Sequence, residues 1–260
     1  MCLDNNSLFN SISKSYGQFR FGNEPVTKML LSLLRIAQFP KVIIEIGSGT
    51  GNYLGSIVNL QNCKAYGVDI SANMLSISRD RYPIVYHILT DCEYVLPFMD
   101  DKFSMVYSID FIHYLKNTTD FYNEQFRILI NNGLSFTATH SIENLYKQTL
   151  GLYFPETIEI ESAMTHSIDE LNKQIINAGF SDVNIETITV ADNLTESDFN
   201  LFKGKTVAVL NKISGNQFEK GISKMRDELL CGIGKNVHSY TFITASKKNK
   251  ISEITWKWVD

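Results

Sequence analysis

Three glycines at alternate positions follow a short apolar run. The run reads V-I-I-E-I from Val42 to Ile46, and Gly47, Gly49 and Gly51 come directly after it. Such a run is typical of a strand that is buried on both faces of a parallel sheet. Glycine lets the backbone turn sharply and approach a ligand closely, because it has no Cβ. With a helix expected from about Asn52 to Leu60, this order predicts a nucleotide-type binding site.

The glycine spacing separates two kinds of nucleotide site. A dinucleotide fingerprint, G-x-G-x-x-G, would place its third glycine at position 52, where the chain has Asn52. Glu45 lies within the apolar strand, where a buried carboxylate requires a partner. The pattern E-x-G-x-G-x-G resembles motif I of the class I S-adenosylmethionine (SAM) dependent methyltransferases, whose loop wraps the methionine part of SAM. The resemblance implies cofactor contacts from Glu45, Gly47, Ser48, Gly49 and Gly51. The alternative is a tight turn without a ligand.

An acidic residue ends the next predicted strand, which begins at Lys64. Asp69 lies 22 residues after Gly47, near the offset of about 20 residues at which an acid contacts ribose hydroxyls. The resemblance also places Ile70 and Met74 beside the nucleoside. In the alternative interpretation, Asp69 only caps the following helix, whose predicted N-cap is Ser71.

A second acidic residue, Asp91, follows the predicted third strand from Ile84 to Leu89. The stretch from Asp91 to Phe98 includes Cys92 and ends in L-P-F. It resembles the family segment in which an acid contacts the adenine amino group, so Asp91 and Cys92 are predicted cofactor contacts. The alternative for Asp91 is an acid in a polar turn.

The beginning of the chain carries a further resemblance. Phe9, Tyr16 and Arg20 precede a helix that is predicted from Pro25. This spacing resembles the small-molecule ("type 11") methyltransferases, in which the tyrosine and arginine fold over SAM and meet its carboxylate. An arginine fork suits a carboxylate well. Taken alone, Tyr16 and Arg20 would be surface residues.

Two histidines follow the predicted fourth and fifth strands, which run from Phe103 to Ile109 and from Leu134 to Thr139. The carboxyl ends of such strands border the ligand crevice, so His113 and His140 are the candidate catalytic bases. The family resemblance also places Ser108 and His113 beside the cofactor. Each histidine could instead be structural.

Two segments between the later elements predict a helical substrate cap. Residues 141–166 and 193–234 are inserts rich in apolar and aromatic side chains. Tyr146, Phe154 and His166 are the predicted acceptor contacts within them. The histidines and carboxylates show no metal-ligand spacing, so no metal is predicted.

The order of elements indicates an α/β fold. We predict a Rossmann-like, seven-stranded, mostly parallel sheet with helices on both faces and a reversed terminal hairpin. All 260 residues form one methyltransferase domain, with its core at about 38–140, 167–190 and 238–248 and SAM-covering helices at about 3–37. The prediction also includes a turn at 131–133 and a capping box of Ser167 with Glu170.

Composition limits the classes of partner. The net charge is −4 and the pI about 5.8, which weighs against a nucleic-acid substrate. The longest apolar stretch, residues 29–39, is too short for a membrane span. Four scattered cysteines are typical of reduced thiols in a cytoplasmic protein. We expect a monomer or homodimer without membrane contact.

The resemblance implies methyl transfer from SAM to an O, N or C atom of a small molecule, with S-adenosylhomocysteine as product. The aromatic cap favours an apolar or aromatic acceptor resembling a secondary metabolite. The chain lacks N-P-P-Y and D-P-P-Y, which disfavours methylation of DNA bases. The alternatives are a non-catalytic SAM-binding protein for regulation or assembly, a nicotinamide-dependent oxidoreductase, and an aminopropyl transferase.

Overall fold

The structure is a computed structural model that describes residues 6–7, 9–13, 23–38, 40–59 and 62–247. Residues 6–7 and 9–13 are helical and form the N-terminal segment. Asn10 ties this segment to a later helix, because its Oδ1 accepts hydrogen bonds from Ser71 Oγ at 2.7 Å and from the Asn73 amide at 3.3 Å. Among the described residues, no helix is long and apolar enough to cross a membrane.

In the part of the chain that the structure describes, seven strands form one mixed sheet. They are β1 Val42–Ile46, β2 Lys64–Asp69, β3 Tyr86–Leu89, β4 Phe103–Ile109, β5 Leu129–Thr139, β6 Ser181–Asn193 and β7 Lys235–Ser246. Their order is β3-β2-β1-β4-β5-β7-β6. Strands β1 to β5 pair in parallel, and β7 is antiparallel to both β5 and β6. The predicted fold class, including the reversed hairpin, is confirmed.

Besides the helical N-terminal segment, the described residues form nine α-helices. They are α1 Glu24–Ile36, α2 Asn52–Val58, α3 Ala72–Arg81, α4 Thr118–Ile128, α5 Thr149–Tyr153, α6 Thr157–Met164, α7 Ile168–Asn177, α8 Glu196–Lys203 and α9 Gly215–Leu230. Short 3₁₀ helices occupy Ile112–Tyr114, Ile142–Lys147 and Ala208–Asn211. Pro25 lies in the first turn of α1, as predicted.

Both faces of the sheet are covered, because successive strand residues point to opposite sides. Ile43 of β1 packs in an apolar cluster with α1 and α2, whereas the adjacent Ile44 packs in a second cluster with α4 and α7. This double burial accounts for the continuous apolar sequence of β1. The packing on both faces also holds in place the ends of the strands, where the candidate site lies.

The two inserts have an apolar core of their own. Phe154 from the first insert packs with Phe202 and Phe218 from the second, with ring centroids 5.8 and 5.9 Å apart. Tyr153, Leu210 and Met225 belong to the same cluster. We call residues 141–166 and 193–234 the cap.

Two local predictions are wrong. Residues 131–133 lie within β5, which begins at Leu129 and shifts its register against β4 between Phe103 and Met105. Asn132 accommodates the irregularity with a φ of 62°, a conformation that asparagine tolerates better than most residues. Ser167 is the N-cap of α7 but makes no capping hydrogen bond with its side chain.

Candidate active site

A cavity of about 470 Å³ lies at the carboxyl ends of the parallel strands, between the sheet and the cap. Its volume is within the range of small-molecule sites, about 300–1,000 Å³. Nine of the predicted site residues line it, namely Gly47, Gly49, Asp69, Ile70, Met74, Asp91, Cys92, His113 and His140. The sheet therefore brings together residues that are almost 100 positions apart in the sequence.

The glycine loop forms one wall of this cavity. Gly47, Gly49 and Gly51 all have positive φ angles, of 74°, 52° and 77°, which glycine adopts without a steric penalty. The amides of Gly47 and Ser48 both donate to the carbonyl oxygen of Val68 at 2.9 Å. A Cβ on Gly47 would collide with the ring of Phe111. The loop thus forms a cradle at Gly47, a small space that the side chain of any larger residue would fill.

Asp69 connects the glycine loop to α3. Its Oδ2 accepts a hydrogen bond from the Gly49 amide and its Oδ1 accepts one from the Ser71 amide, each at 2.8 Å. Burial raises the pKa of Asp69, and the bonds from the Ser71 and Gly49 amides oppose that rise. Ser71 is the N-cap of α3, as predicted, and its side chain accepts from the Met74 amide at 3.2 Å. Asp69 therefore lines the cavity and also joins two backbone segments.

Asp91 and Cys92 occupy the loop after β3. Asp91 Oδ1 accepts a hydrogen bond from the Glu93 amide at 3.0 Å, which orders the turn. Burial raises the pKa of the Cys92 thiol well above its ordinary value, so this residue offers the cavity a neutral thiol. Glu93, which the sequence analysis did not identify, also lines the cavity, and its Oε1 accepts from the Lys116 amide at 3.0 Å.

A polar cluster forms the opposite wall, where three neighbouring strands meet. His140 Nε2 lies 3.2 Å from Asp110 Oδ1, and Tyr240 donates its hydroxyl proton to Asp110 Oδ2 at 3.2 Å. His140 Nδ1 lies 2.9 Å from the carbonyl oxygen of Ser239. Because a carbonyl only accepts, Nδ1 carries the proton. We call Asp110, His140 and Tyr240 the strand-end triad.

The strand-end triad favours a charged imidazole. Burial alone lowers the pKa of His140, but the hydrogen bond and charge of Asp110, with the nearby charge of Glu161, raise it above its ordinary value. Asp110 is held at a φ of 51°, which is uncommon for a residue other than glycine. Such strained residues concentrate at functional sites.

His113 lies on the 3₁₀ helix after β4 and lines the cavity as well. Its ring is tilted against that of Tyr114, with centroids 4.1 Å apart. Tyr114 also contacts Phe9 of the N-terminal segment, edge to face at 5.1 Å. The N-terminal segment thereby closes this side of the cavity.

Several predicted contacts lie outside the lining of the cavity. Glu45 is 2% exposed, and Tyr107 donates a hydrogen bond to its Oε2 at 3.3 Å. Burial raises the pKa of Glu45 to about 8. Ser48, Gly51 and Ser108 are also buried behind the lining. Gly51 is the N-cap of α2 and fits closely against Ser78.

The predicted acceptor contacts are not part of the cavity lining. Phe154 is fully buried in the core of the cap, whereas Tyr146 is 54% exposed with Lys147 over its ring. His166 is half-buried outside the lining, and its Nε2 makes no hydrogen bond. Tyr16 and Arg20 lie outside the described residues.

Other cap residues face the cavity instead, and the sequence analysis did not identify them as site residues. They are Glu161, Met164, Val207, Ala208, Val209 and Lys212. The apolar run that begins at Val207 was the only sequence signal for any of them. Ala208 also packs with Met74 and Ile12. This contact connects the cap to α3 and to the N-terminal segment. Among the described residues, no group of three or more acids, histidines or cysteines could hold a metal ion.

The residues present fit SAM. The Gly47 cradle admits close approach of a ligand to the backbone, and the carboxylates of Asp69 and Asp91 line the same cavity. A carboxylate oxygen has further lone pairs beyond the one that accepts an amide, so both acids retain capacity for ligand hydroxyl or amino groups.

Comparisons with known proteins find a matching family and similar folds. Residues 44–137 match the family described as a methyltransferase domain. No curated protein matches the chain. An Anabaena variabilis protein assigned to an antibiotic biosynthesis pathway as a methyltransferase is similar over 88% of this chain and 99% of its own, with 21% identity and a TM-score of 0.68.

Two further solved structures contain ligands. A Haemonchus contortus phosphoethanolamine N-methyltransferase 2, in complex with phosphomonomethylethanolamine and S-adenosylhomocysteine, shares 19% identity over 95% of this chain, with a TM-score of 0.63. The present chain spans 61% of that protein's length. A Streptomyces coelicolor geranyl diphosphate C-methyltransferase, in complex with Mg²⁺, geranyl diphosphate and S-adenosylhomocysteine, shares 14% identity over 86% of this chain and 79% of its own, with a TM-score of 0.52.

The sheet has the Rossmann-like fold of the class I methyltransferases. Within that fold, residues 44–137 match the methyltransferase-domain family.

Proposed function

We propose that this chain transfers the methyl group of SAM to a small-molecule acceptor that binds between the strand ends and the cap. The observation that carries the proposal is the single continuous cavity. Gly47, Gly49 and Asp69 line one part of it, and cap residues such as Met164 and Val209 line another. A cofactor and an acceptor can therefore meet in the same cavity, as a transfer reaction requires.

The cofactor part of the site is assigned residue by residue. We infer that Asp69 binds the ribose, that Asp91 and Cys92 lie beside the adenine, and that Ile70 and Met74 pack against the nucleoside. Gly47 and Gly49 admit the methionine part. When bound, SAM supplies a methyl group that its sulfonium activates for displacement. We further infer that helices in residues 3–37, including Tyr16 and Arg20, cover it.

In the acceptor part of the site, His140 is suited to orienting the acceptor rather than to removing a proton from it. His140 has Nδ1 on a carbonyl oxygen and Nε2 beside a carboxylate, so its lone pair is unavailable while Asp110 is ionised. The catalytic base expected of His140 is therefore replaced, in our proposal, by a positioning role. His113 remains the candidate base that faces the cavity. Holding the reacting atoms in line about 3 Å apart, without water, supplies several kcal/mol by itself.

Calorimetric titration tests the proposal. We expect S-adenosylhomocysteine and SAM to bind the full chain and NAD to give no heat. Tight NAD binding without SAM binding would support an oxidoreductase instead. Formation of S-adenosylhomocysteine from SAM, with a cell extract as the source of acceptors, separates an enzyme from a SAM-binding regulatory protein, which would bind but not turn over.

A further inference from the structure

We propose that residues 248–260, which follow the described part of the chain, pack across an apolar patch beside β3. Exposed apolar side chains form this patch, which we call the edge patch, and they are Ile84, Tyr86 and Met99, at 67%, 51% and 77% exposure. Within the described residues, β3 is an edge strand of the sheet, and proteins commonly cover an apolar edge with another segment. No residue of the edge patch lines the cavity, so the inference is independent of the proposed function.

The edge patch is continuous because its residues rest on the same aromatic side chains. Tyr86 stacks on Tyr66 of β2 with ring centroids 4.9 Å apart, and Tyr66 contacts Phe98 edge to face at 5.7 Å. Met99 follows Phe98 directly, and Ile84 lies in the turn two residues before Tyr86. Single exposed apolar side chains are normal on a protein surface, whereas a contiguous group of them indicates an interaction site.

The described chain ends on the same face of the sheet as the edge patch. Lys247 Nζ lies 2.7 Å from Asp101 Oδ1 and 4.9 Å from the ring centroid of Phe126 in α4. Phe126 packs against the apolar cluster that contains Tyr66. Asp101 is two residues after Met99. Residues 248–260 therefore begin on the face that carries the edge patch.

The distance to the edge patch is within reach of these residues. β7 and β3 are five strand spacings apart in the sheet, which is about 24 Å at about 4.8 Å per spacing. Trp256 is nine residues after Lys247, and nine extended residues span about 30 Å. β3 begins with Tyr86, and β7 ends just before Lys247. Because β7 is antiparallel to the parallel strands, both points lie at the same end of the sheet.

The sequence after Lys247 provides an apolar stripe of matching kind. Its apolar side chains alternate with polar ones from position 254 to position 258, and they are Ile254, Trp256 and Trp258. Such alternation is typical of a strand with one apolar face. Extended segments of this pattern bind along exposed sheet edges, so we infer that the two indoles contact the edge patch.

Cations at the edge patch favour tryptophan in particular. Lys64 Nζ lies 4.7 Å from the ring centroid of Tyr86, and Lys102 Nζ lies 4.7 Å from that of Tyr66. Among aromatic side chains, the indole of tryptophan is the best partner for such a cation. Trp256 and Trp258 can thus add both apolar contact and a cation–π interaction.

Tryptophan fluorescence tests the inference in the full chain. Trp256 and Trp258 are the two tryptophans of the sequence, so the tryptophan emission comes from this segment alone. We expect the folded chain to emit at shorter wavelengths than the urea-unfolded chain. Acrylamide should quench the folded chain several times less strongly, because indoles that pack on the edge patch are shielded from water.

A pair of double variants locates the shielding. I84S/M99S removes two apolar side chains of the edge patch at exposed positions. The docking equilibrium should fall at least about tenfold, because burial of a large apolar side chain contributes at least that factor. Quenching should rise toward the value of the unfolded chain. If I84S/M99S does not fold, the single variant M99S takes its place.

The control removes two similarly exposed apolar side chains from the cap. L230S/I233S changes positions that are 76% and 65% exposed, and its quenching should equal that of the unmodified chain. The same quenching in the folded and unfolded chains would overturn the inference, as would shielding that I84S/M99S leaves intact or that the control also loses. Shielding that decreases on dilution would mean that the segment covers a second copy of the chain, which overturns docking within one chain.

Discussion

Asp69 accepts hydrogen bonds from the amides of Gly49 and Ser71, so its carboxylate holds the glycine loop against the beginning of α3. The sequence offered ribose binding and capping as alternatives for this residue. The geometry combines a capping-type contact with a place in the cavity lining. A single carboxylate has enough lone pairs for both tasks.

We expect D69N to weaken S-adenosylhomocysteine binding by about 1.5–3 kcal/mol, because an amide has one acceptor oxygen where the carboxylate has two. Calorimetry measures the affinity, and thermal unfolding without ligand measures the structural contribution. D192N, at an exposed position of β6, is the control. A lower melting temperature at unchanged affinity would show that Asp69 serves the backbone alone.

The charge on His140 can be observed directly. We expect an NMR titration of its ring to give a pKa above the ordinary value in the unmodified chain, and a lower pKa in D110N, which removes the raising charge. Because the folded pKa is raised, the pair stabilises the fold below the unfolded pKa of about 6.5 and loses that effect as the pH rises through the folded value. An unchanged pKa in D110N would contradict the ion pair.

At the scale of elements, the glycine loop was predictable because its spacing and conformation are local. The predicted strand and its three glycines correspond to β1 and three positive φ angles. The cap was not predictable in the same way, because its fold depends on contacts between distant segments. Aromatic composition indicated Phe154 as a pocket residue, yet composition does not separate the core of the cap from its surface.

The start of β5 gives a second example. Asparagine and glycine at 131–133 are typical of a turn, yet these residues lie within β5, at the register shift between the pairs Leu129–Phe103 and Leu134–Met105. Asn132 keeps a positive φ, so the local preference is accommodated as an irregularity of the strand rather than as its end.

G47A tests the loop as an element. Alanine must adopt a φ of 74° and its Cβ must displace the Phe111 ring. The left-handed conformation alone costs about 1–2 kcal/mol, so we expect a larger loss in the free energy of unfolding, together with weaker S-adenosylhomocysteine binding. In G215A, whose added Cβ meets nothing within 4 Å, the fold and the affinity should be unaffected. Equal stability of G47A and G215A in urea would refute the tight packing of Phe111 on Gly47.

At the scale of the whole molecule, one buried acid makes stability depend on pH. Glu45 has a pKa of about 8 in the folded protein, mainly through burial, against an ordinary value of 4.5. The folded chain therefore holds a proton that the unfolded chain releases, and the stability gained below pH 4.5 is lost as the pH rises through 8.

We expect E45Q to be more stable than the unmodified ligand-free chain at pH 9, by on the order of 1–5 kcal/mol, and similar to it at pH 5. Urea unfolding at the two pH values measures the difference. D192N removes a carboxylate at an exposed position of β6 and is the control. Equal stability of E45Q and the unmodified chain at pH 9 would mean that Glu45 is ionised without penalty.

The position of β7 has a consequence for the order in which the site assembles during synthesis. β7 is the last of the described strands in chain order, yet it is inserted between β5 and β6. It also supplies Tyr240 to the strand-end triad and the Ser239 carbonyl to His140. While a ribosome is still making the chain, the glycine loop, Asp69 and Asp91 emerge long before these partners. A nascent chain thus acquires the glycine loop and the two acids first, and the strand-end triad is completed only when β7 enters the sheet.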